Sequence, residues 1–122
     1  MSELTTKLID LISSYHYSTA SEKELQCGLE MLFTDQGLRF SREYHLSSTD
    51  VIDFLIESPQ CKIGLECKTK GGVNAVMRQL ARYVSHGCIN ELIVVTTRSG
   101  HTRIEPTLNG VPIYVIYLRT FL

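Results

Sequence analysis
The chain has 122 residues, with 12 Lys/Arg against 13 Asp/Glu, a formal charge of −1 and 43% hydrophobic residues. That length supports one hydrophobic core but not two, so residues 1–122 are read as a single domain. No apolar run reaches the roughly 18 residues needed to cross a bilayer, and no basic segment followed by an apolar one opens the chain. The four cysteines, Cys27, Cys61, Cys67 and Cys88, form no CxxC pair. Membrane spans, zinc ribbons and a disulfide scaffold are set aside, and a cytoplasmic protein with free thiols is expected.

The near-zero charge hides an asymmetry. Through Ser58 there are four Lys/Arg and ten Asp/Glu; from Pro59 onward there are eight Lys/Arg and three Asp/Glu. A basic half suits contact with a nucleic-acid backbone, because phosphate neutralisation supplies most non-specific affinity. The balanced total argues against indiscriminate coating of DNA.

Leu4, Leu8, Leu11, Ile12 and Tyr15 recur at helical spacing, which predicts an amphipathic helix over Met1 to Tyr17 with Ser2 as its cap. After Ser18–Ser21, Thr19 or Ser21 can cap a second helix that runs to about Asp35 and ends at Gly37. Its apolar line is Leu25, Leu29, Leu32 and Phe33. Glu22 extends that line, while Glu24 and Glu30 fall further round.

Leu38 to Ser47 reads as a strand, with Phe40, Arg42, Tyr44 and Leu46 on one face. Ser47–Asp50 supplies a turn. Two further runs, Val51 to Glu57 and Cys61 to Thr69, carry charged residues inside apolar strands. A period of two on the second places Ile63, Leu65 and Cys67 on one face and Lys62, Gly64, Glu66 and Lys68 on a charged ledge opposite. If the first pairs beside it, Asp53 reaches the same spot as Glu66 and Lys68. Asp50 competes with Asp53 for that part, but it stands where turns ordinarily place aspartate.

Two converging carboxylates beside a lysine need a physical reason, since a buried carboxylate is costly unless paired or bound to a cation. A hard divalent ion such as Mg²⁺ or Mn²⁺ takes oxygen ligands from Asp53, Glu66 and a backbone carbonyl, that of Cys67. Lys68 can then serve the attacking water or offset charge on a phosphate. The plainer alternative is an ion pair of Lys68 with Asp53 or Glu66 on a solvated sheet.

After Lys68 comes a Thr69–Gly72 turn containing Lys70. Asn74 is expected to cap a helix over Ala75 to His86, with Val76, Leu80, Tyr83 and Val84 facing inward and Gln79 sharing the face of Tyr83. Arg78, Arg82 and His86 recur every four residues as a stripe that can follow a DNA backbone or simply face water. Glu91 to Thr97 is a near-continuous apolar strand. Arg98 to Arg103 reads as a polar loop whose two arginines and histidine can make a second phosphate contact or simply face water. Val111 to Leu118 is the last strand, and Arg119 to Leu122 is placed back against the core.

Asp53 followed by Glu66-Cys67-Lys68 at the end of an apolar strand resembles the signature of the PD-(D/E)xK nuclease superfamily, although Ile52 stands where that pattern has proline. Gln79-x-x-x-Tyr83 resembles an additional element of its RecB-like branch. The resemblance covers nearly the whole chain and implies an α/β fold with a restriction-endonuclease-like core, a mixed central sheet flanked by helices in the order ααβββαββ. It further implies Mg²⁺- or Mn²⁺-dependent DNA endonuclease activity, Glu22 (with Glu24 in reserve) as a helix-borne metal ligand, and Gln79 and Tyr83 lining the cleft. Contacts to DNA are expected from Lys70, Arg78, Arg82, Arg98 and Arg103. The small size points to a homo-oligomer or a partner protein completing the grip. A Holliday-junction-type resolvase and a non-catalytic binding module on the same scaffold are the alternatives.

Overall fold
The computed structural model describes residues 1–119. The fold is α/β: three helices and a six-stranded mixed sheet. Helices α1 (Glu3–Ser13) and α2 (Glu22–Asp35) are followed by strands β1 (Phe40–His45), β2 (Val51–Glu57) and β3 (Lys62–Lys68). Helix α3 (Val73–Ser85) then leads to β4 (Glu91–Thr96), a 3₁₀ segment (Ser99–Arg103), β5 (Thr107–Leu108) and β6 (Val111–Tyr117). The strand order is β1-β2-β3-β4-β6-β5. The β1–β2, β2–β3 and β5–β6 pairs are antiparallel, and β3–β4 and β4–β6 are parallel. No helix among the described residues is long and apolar enough to cross a membrane.

The sheet separates two apolar cores. Leu8 and Ile12 of α1 and Leu25, Leu29, Leu32 and Phe33 of α2 pack on Phe54, Ile56, Ile63, Leu65, Cys67, Ile93 and Val95. On the other face Val76, Leu80, Tyr83 and Val84, the predicted inner line of α3, cover Ile52, Leu55, Leu92 and Val94. The expected "charged ledge" on β3 is therefore corrected. Gly64 and Glu66 are buried, because α3 and its connection to β4 close over that face. A Cβ at Gly64 would lie 2.6 Å from Ile52 Cδ1 and 3.0 Å from Leu92 Cδ2, so the missing side chain is what lets that core close.

Local chemistry explains most of the boundaries. The Ser2 hydroxyl accepts from Thr5 N–H at the start of α1, and Ser21 accepts from Glu24 N–H at the start of α2. The α1 end is held by Glu91, at the start of β4, which accepts from the Ser2 amide and from the Ser2 and Thr5 hydroxyls. The predicted first helix was too long: it stops at Ser13, and Tyr15 is exposed. Helix α3 starts two residues earlier than expected. Its cap is Gly72 with no side-chain bond, and Asn74 lies within its first turn, because the Gly72 carbonyl already opens the helix by accepting from Val76 N–H.

The β1 periodicity also needs correction. Phe40 packs toward α1 and α2, and Arg42 lies over the Phe54 ring, 5.8 Å from its centre, but Tyr44 and Leu46 join the α3-side core. Across the ladder Phe54 and Ile52 divide in the same way. Both strands exchange faces between the Arg42↔Phe54 and Tyr44↔Ile52 pairs, where Glu43 takes φ +50°. The residue opposite Glu43 is Asp53.

Beyond β4, the strand order gains one member over the expected ααβββαββ. Thr107–Leu108 and Val111–Pro112 form a hairpin about Asn109-Gly110, both at positive φ as a two-residue turn of this type requires. The Arg98–Arg103 segment is a 3₁₀ turn rather than an open loop. Of the expected packing of residues 119–122 onto the core, Arg119 is exposed and 120–122 lie outside the described residues.

Candidate active site
The β2–β3 ladder runs from Glu57↔Lys62 to Phe54↔Leu65 and stops there. One further step would set Asp53 opposite Glu66. Because the strands exchange faces at Asp53, the next backbone rungs are replaced by side chains. Glu66 Oε1 accepts from the Asp53 amide at 2.9 Å, and Asp53 Oδ2 accepts from the Cys67 amide at 2.8 Å. Two acids cap the amides left free by the parted strands, and one oxygen of each remains uncommitted to the backbone.

The environment is dry. Glu66 is only 3% exposed, and burial, then the nearby Asp53 charge, pushes its pKa up to about 8. Burial likewise raises Asp53, against the lowering effects of the Cys67 amide and Lys68. Lys68 Nζ lies 3.6 Å from Glu66 Oε2 with its side chain 16% exposed, so the lysine reaches the site from its solvent side. Lys68 and Glu66 do approach one another as the plainer reading has it, but on a covered face rather than a solvated one.

Glu22 arrives from the start of α2, where Oε1 accepts from the Thr69 amide at 3.0 Å, just past the end of β3. Its charge adds to the raising of Asp53 and Glu66. Glu24, the reserve, points outward to the Ser18 hydroxyl. From the other layer Tyr83 donates its hydroxyl hydrogen to Val51 O (2.9 Å) and accepts from Gln79 Nε2 (2.8 Å). Burial raises the Tyr83 pKa, and Glu66 is the largest charge contribution in the same direction. Gln79 and Tyr83 thus form one wall beside the carboxylates. Cys67 turns its thiol into the α1–α2 core, where burial raises its pKa, and only its backbone faces the acids.

Three acids against Lys68 and Arg42 is an excess of negative charge in a low-dielectric place. Oxygen donors of this kind suit a hard divalent cation, which would relieve the repulsion. Among the described residues, no three His, Cys, Asp or Glu side chains form a ready-made metal cage. Asp53 and Glu66 stand as a pair, with Glu22 turned to Thr69.

The expected DNA contacts divide. Lys70, Arg78, Arg98 and Arg103 are exposed, and Arg78 and Arg103 meet in a shallow depression at the start of α3 beside Gly72 and Asn74. Arg82 and His86 are exposed as well, and both also reach Asp50, at 3.4 and 2.8 Å. The stripe along α3 is thus partly paired with Asp50. Asp50 is held by these partners, with His86 chiefly keeping its pKa low, and is not part of the acidic pair.

Two contributors were not anticipated. Arg42 anchors β1 to α2 through Glu30 (2.8 Å) and Gln26 (3.1 Å), and its charge bears on Asp53. His101 is buried at 1% exposure and bonded to Thr96 and Gly71. A histidine amid Arg, Ser and Thr gives no periodic signal of burial, so the polar loop around it does not show that this one residue is closed in. Comparison with protein-family models and with curated protein sequences returns no match for this chain.

Proposed function
We propose that this chain is a metal-dependent DNA endonuclease of the restriction-endonuclease-like type, hydrolysing phosphodiester bonds with Mg²⁺ or Mn²⁺. The observation that carries the reading is the pair of acids, Asp53 and Glu66, placed with Lys68 where the β2–β3 ladder opens. Asp53 and Glu66 would hold the ion through the oxygens that do not cap a backbone amide, with Lys68 beside that of Glu66 and help from Glu22 and the Cys67 carbonyl. A divalent cation there supplies Lewis acidity toward water and neutralises phosphate charge. Lys68 places a positive charge at the solvent side of Glu66, where it offsets charge developing on a phosphate. Gln79 and Tyr83 hold the start of β2 in place through Val51 O, next to the acids. Lys70, Arg78, Arg98 and Arg103 grip the backbone, with a second copy or a partner protein extending that grip. Incubation of supercoiled plasmid with the purified protein and Mn²⁺ tests the reading: nicking by the wild type and none by Lys68→Ala is expected, and equal rates for the two would overturn it.

One observation favours a second reading, a non-catalytic nucleic-acid-binding module. Each acid already satisfies a backbone amide, which is a sufficient structural role. Such a module keeps its DNA affinity in EDTA and takes up no Mn²⁺ in calorimetry.

A further inference from the structure
We propose that His101 is a positioning residue. With Thr96, it latches the turn between β3 and α3 onto the end of β4, and so fixes Lys68 on one side of the turn relative to the Gln79–Tyr83 wall on the other. The catalytic part of this statement rests on the endonuclease reading; the latch itself does not.

His101 Nε2 lies 2.8 Å from the Gly71 carbonyl, and Nδ1 lies 2.6 Å from Thr96 Oγ1. A carbonyl only accepts, so Nε2 carries a hydrogen. Thr96 Oγ1 already accepts from the Arg98 amide at 3.0 Å. Its own hydrogen is therefore free to go to Nδ1, and a neutral ring leaves every member of the chain satisfied. The order is Arg98 N–H to Thr96, Thr96 O–H to His101, His101 N–H to Gly71. Thr96 and His101 are both essentially inaccessible to water, where an orphaned member is costly.

What the latch holds is otherwise weakly constrained. Gly71 has φ +94°, neither Gly71 nor Gly72 has an atom within 4 Å of where a Cβ would be, and α3 begins at Gly72 without a side-chain cap. The turn is pinned at its start by Glu22 on the Thr69 amide and near its end by His101 on the Gly71 carbonyl. Thr96 is the parallel partner of Lys68, and the Thr97 amide donates to Lys68 O at 3.1 Å. The same short piece of β4 therefore holds Lys68 directly and the turn after it through His101.

The test compares the wild type with His101→Ala, His101→Gln and Thr96→Val by amide hydrogen exchange and by steady-state plasmid cleavage. Glutamine keeps a donor for Gly71. In His101→Ala, exchange should quicken about tenfold in the 69–76 segment at its two bonded amides, Thr69 and Val76, with the β3 and β4 interiors unchanged. The kcat should fall about tenfold or more, with KM within about twofold, since a displacement near 1 Å costs up to about a hundredfold. His101→Gln should recover most of both readouts, and Thr96→Val should fall between. Exchange unchanged in that segment, or quickened uniformly over the whole chain, would overturn the latch. A localised change in exchange with wild-type kcat would overturn the positioning role. If the wild type cuts no DNA, the endonuclease reading fails, and the exchange pattern alone decides the latch.

Discussion

Replacing Glu66 by glutamine tests the electrostatics of the acidic pair without using activity at all. Glu66 is buried, and its pKa is raised from 4.5 to about 8. The folded state therefore holds a proton there that the unfolded chain has already released once the pH passes about 4.5. Folding stability is greatest below that pH and falls as the pH rises toward 8. The slope for one such group approaches about 1.4 kcal/mol per pH unit. Between about pH 5.5 and 7.5 the metal-free protein should lose roughly 2–3 kcal/mol, or roughly 10 °C in Tm for a chain of this size. Glutamine still offers an oxygen to the Asp53 amide but has no proton to lose, so Glu66→Gln should be markedly flatter over the same range, with any residual slope belonging to Asp53. Urea unfolding at three pH values in EDTA measures this. Equal slopes for variant and wild type would refute the assignment of a buried acid that keeps its proton in the fold.

Four further outcomes are expected. Adding Mn²⁺ at about pH 7.5 should restore wild-type stability by RT ln(1 + [L]/Kd) and leave Asp53→Asn unmoved, as thermal melts with and without the ion will show. Gly64→Ala should destabilise by about 1–3 kcal/mol in urea titrations, because the new methyl meets Ile52 and Leu92 in a closed core; an unchanged midpoint contradicts the packing argument. Tyr83→Phe should cost about 1–2 kcal/mol by leaving Val51 O and Gln79 without the hydroxyl, read in the same assay. Arg78→Gln combined with Arg103→Gln should weaken DNA binding and reduce its salt dependence by about two units of slope in fluorescence anisotropy, whereas Arg82→Gln should change it little, being held by Asp50.

The features that organise this fold were mostly readable from local pattern. Val51–Glu57 is bounded by a Ser/Thr/Asp turn and Pro59, and its limits match the observed strand. The inner line of α3 follows the helical repeat residue by residue. Ile63, Leu65 and Cys67 share a face as a period of two demands. What escaped was non-local. The exchange of faces at Glu43 and Asp53 depends on two paired strands bending together, and an alternating pattern on either strand alone conceals it. The Thr107–Leu108 strand, two residues long, is too short to show a period. The burial of His101 and the engagement of Arg82 and His86 with Asp50 arise from residues more than 25 positions apart meeting across elements. The acidic pair was legible because both acids interrupt apolar strands; that each caps the other strand's free amide was not.

The central claim is that Asp53 and Glu66 together form a divalent-cation site. A crystal soaked in Mn²⁺ and measured for anomalous scattering tests it most directly. A peak between the two carboxylates, absent in Asp53→Asn, is the predicted result. No peak at saturating Mn²⁺, with Glu66 still bonded to the Asp53 amide and Asp53 to that of Cys67, would contradict it and leave the pair a purely structural cap.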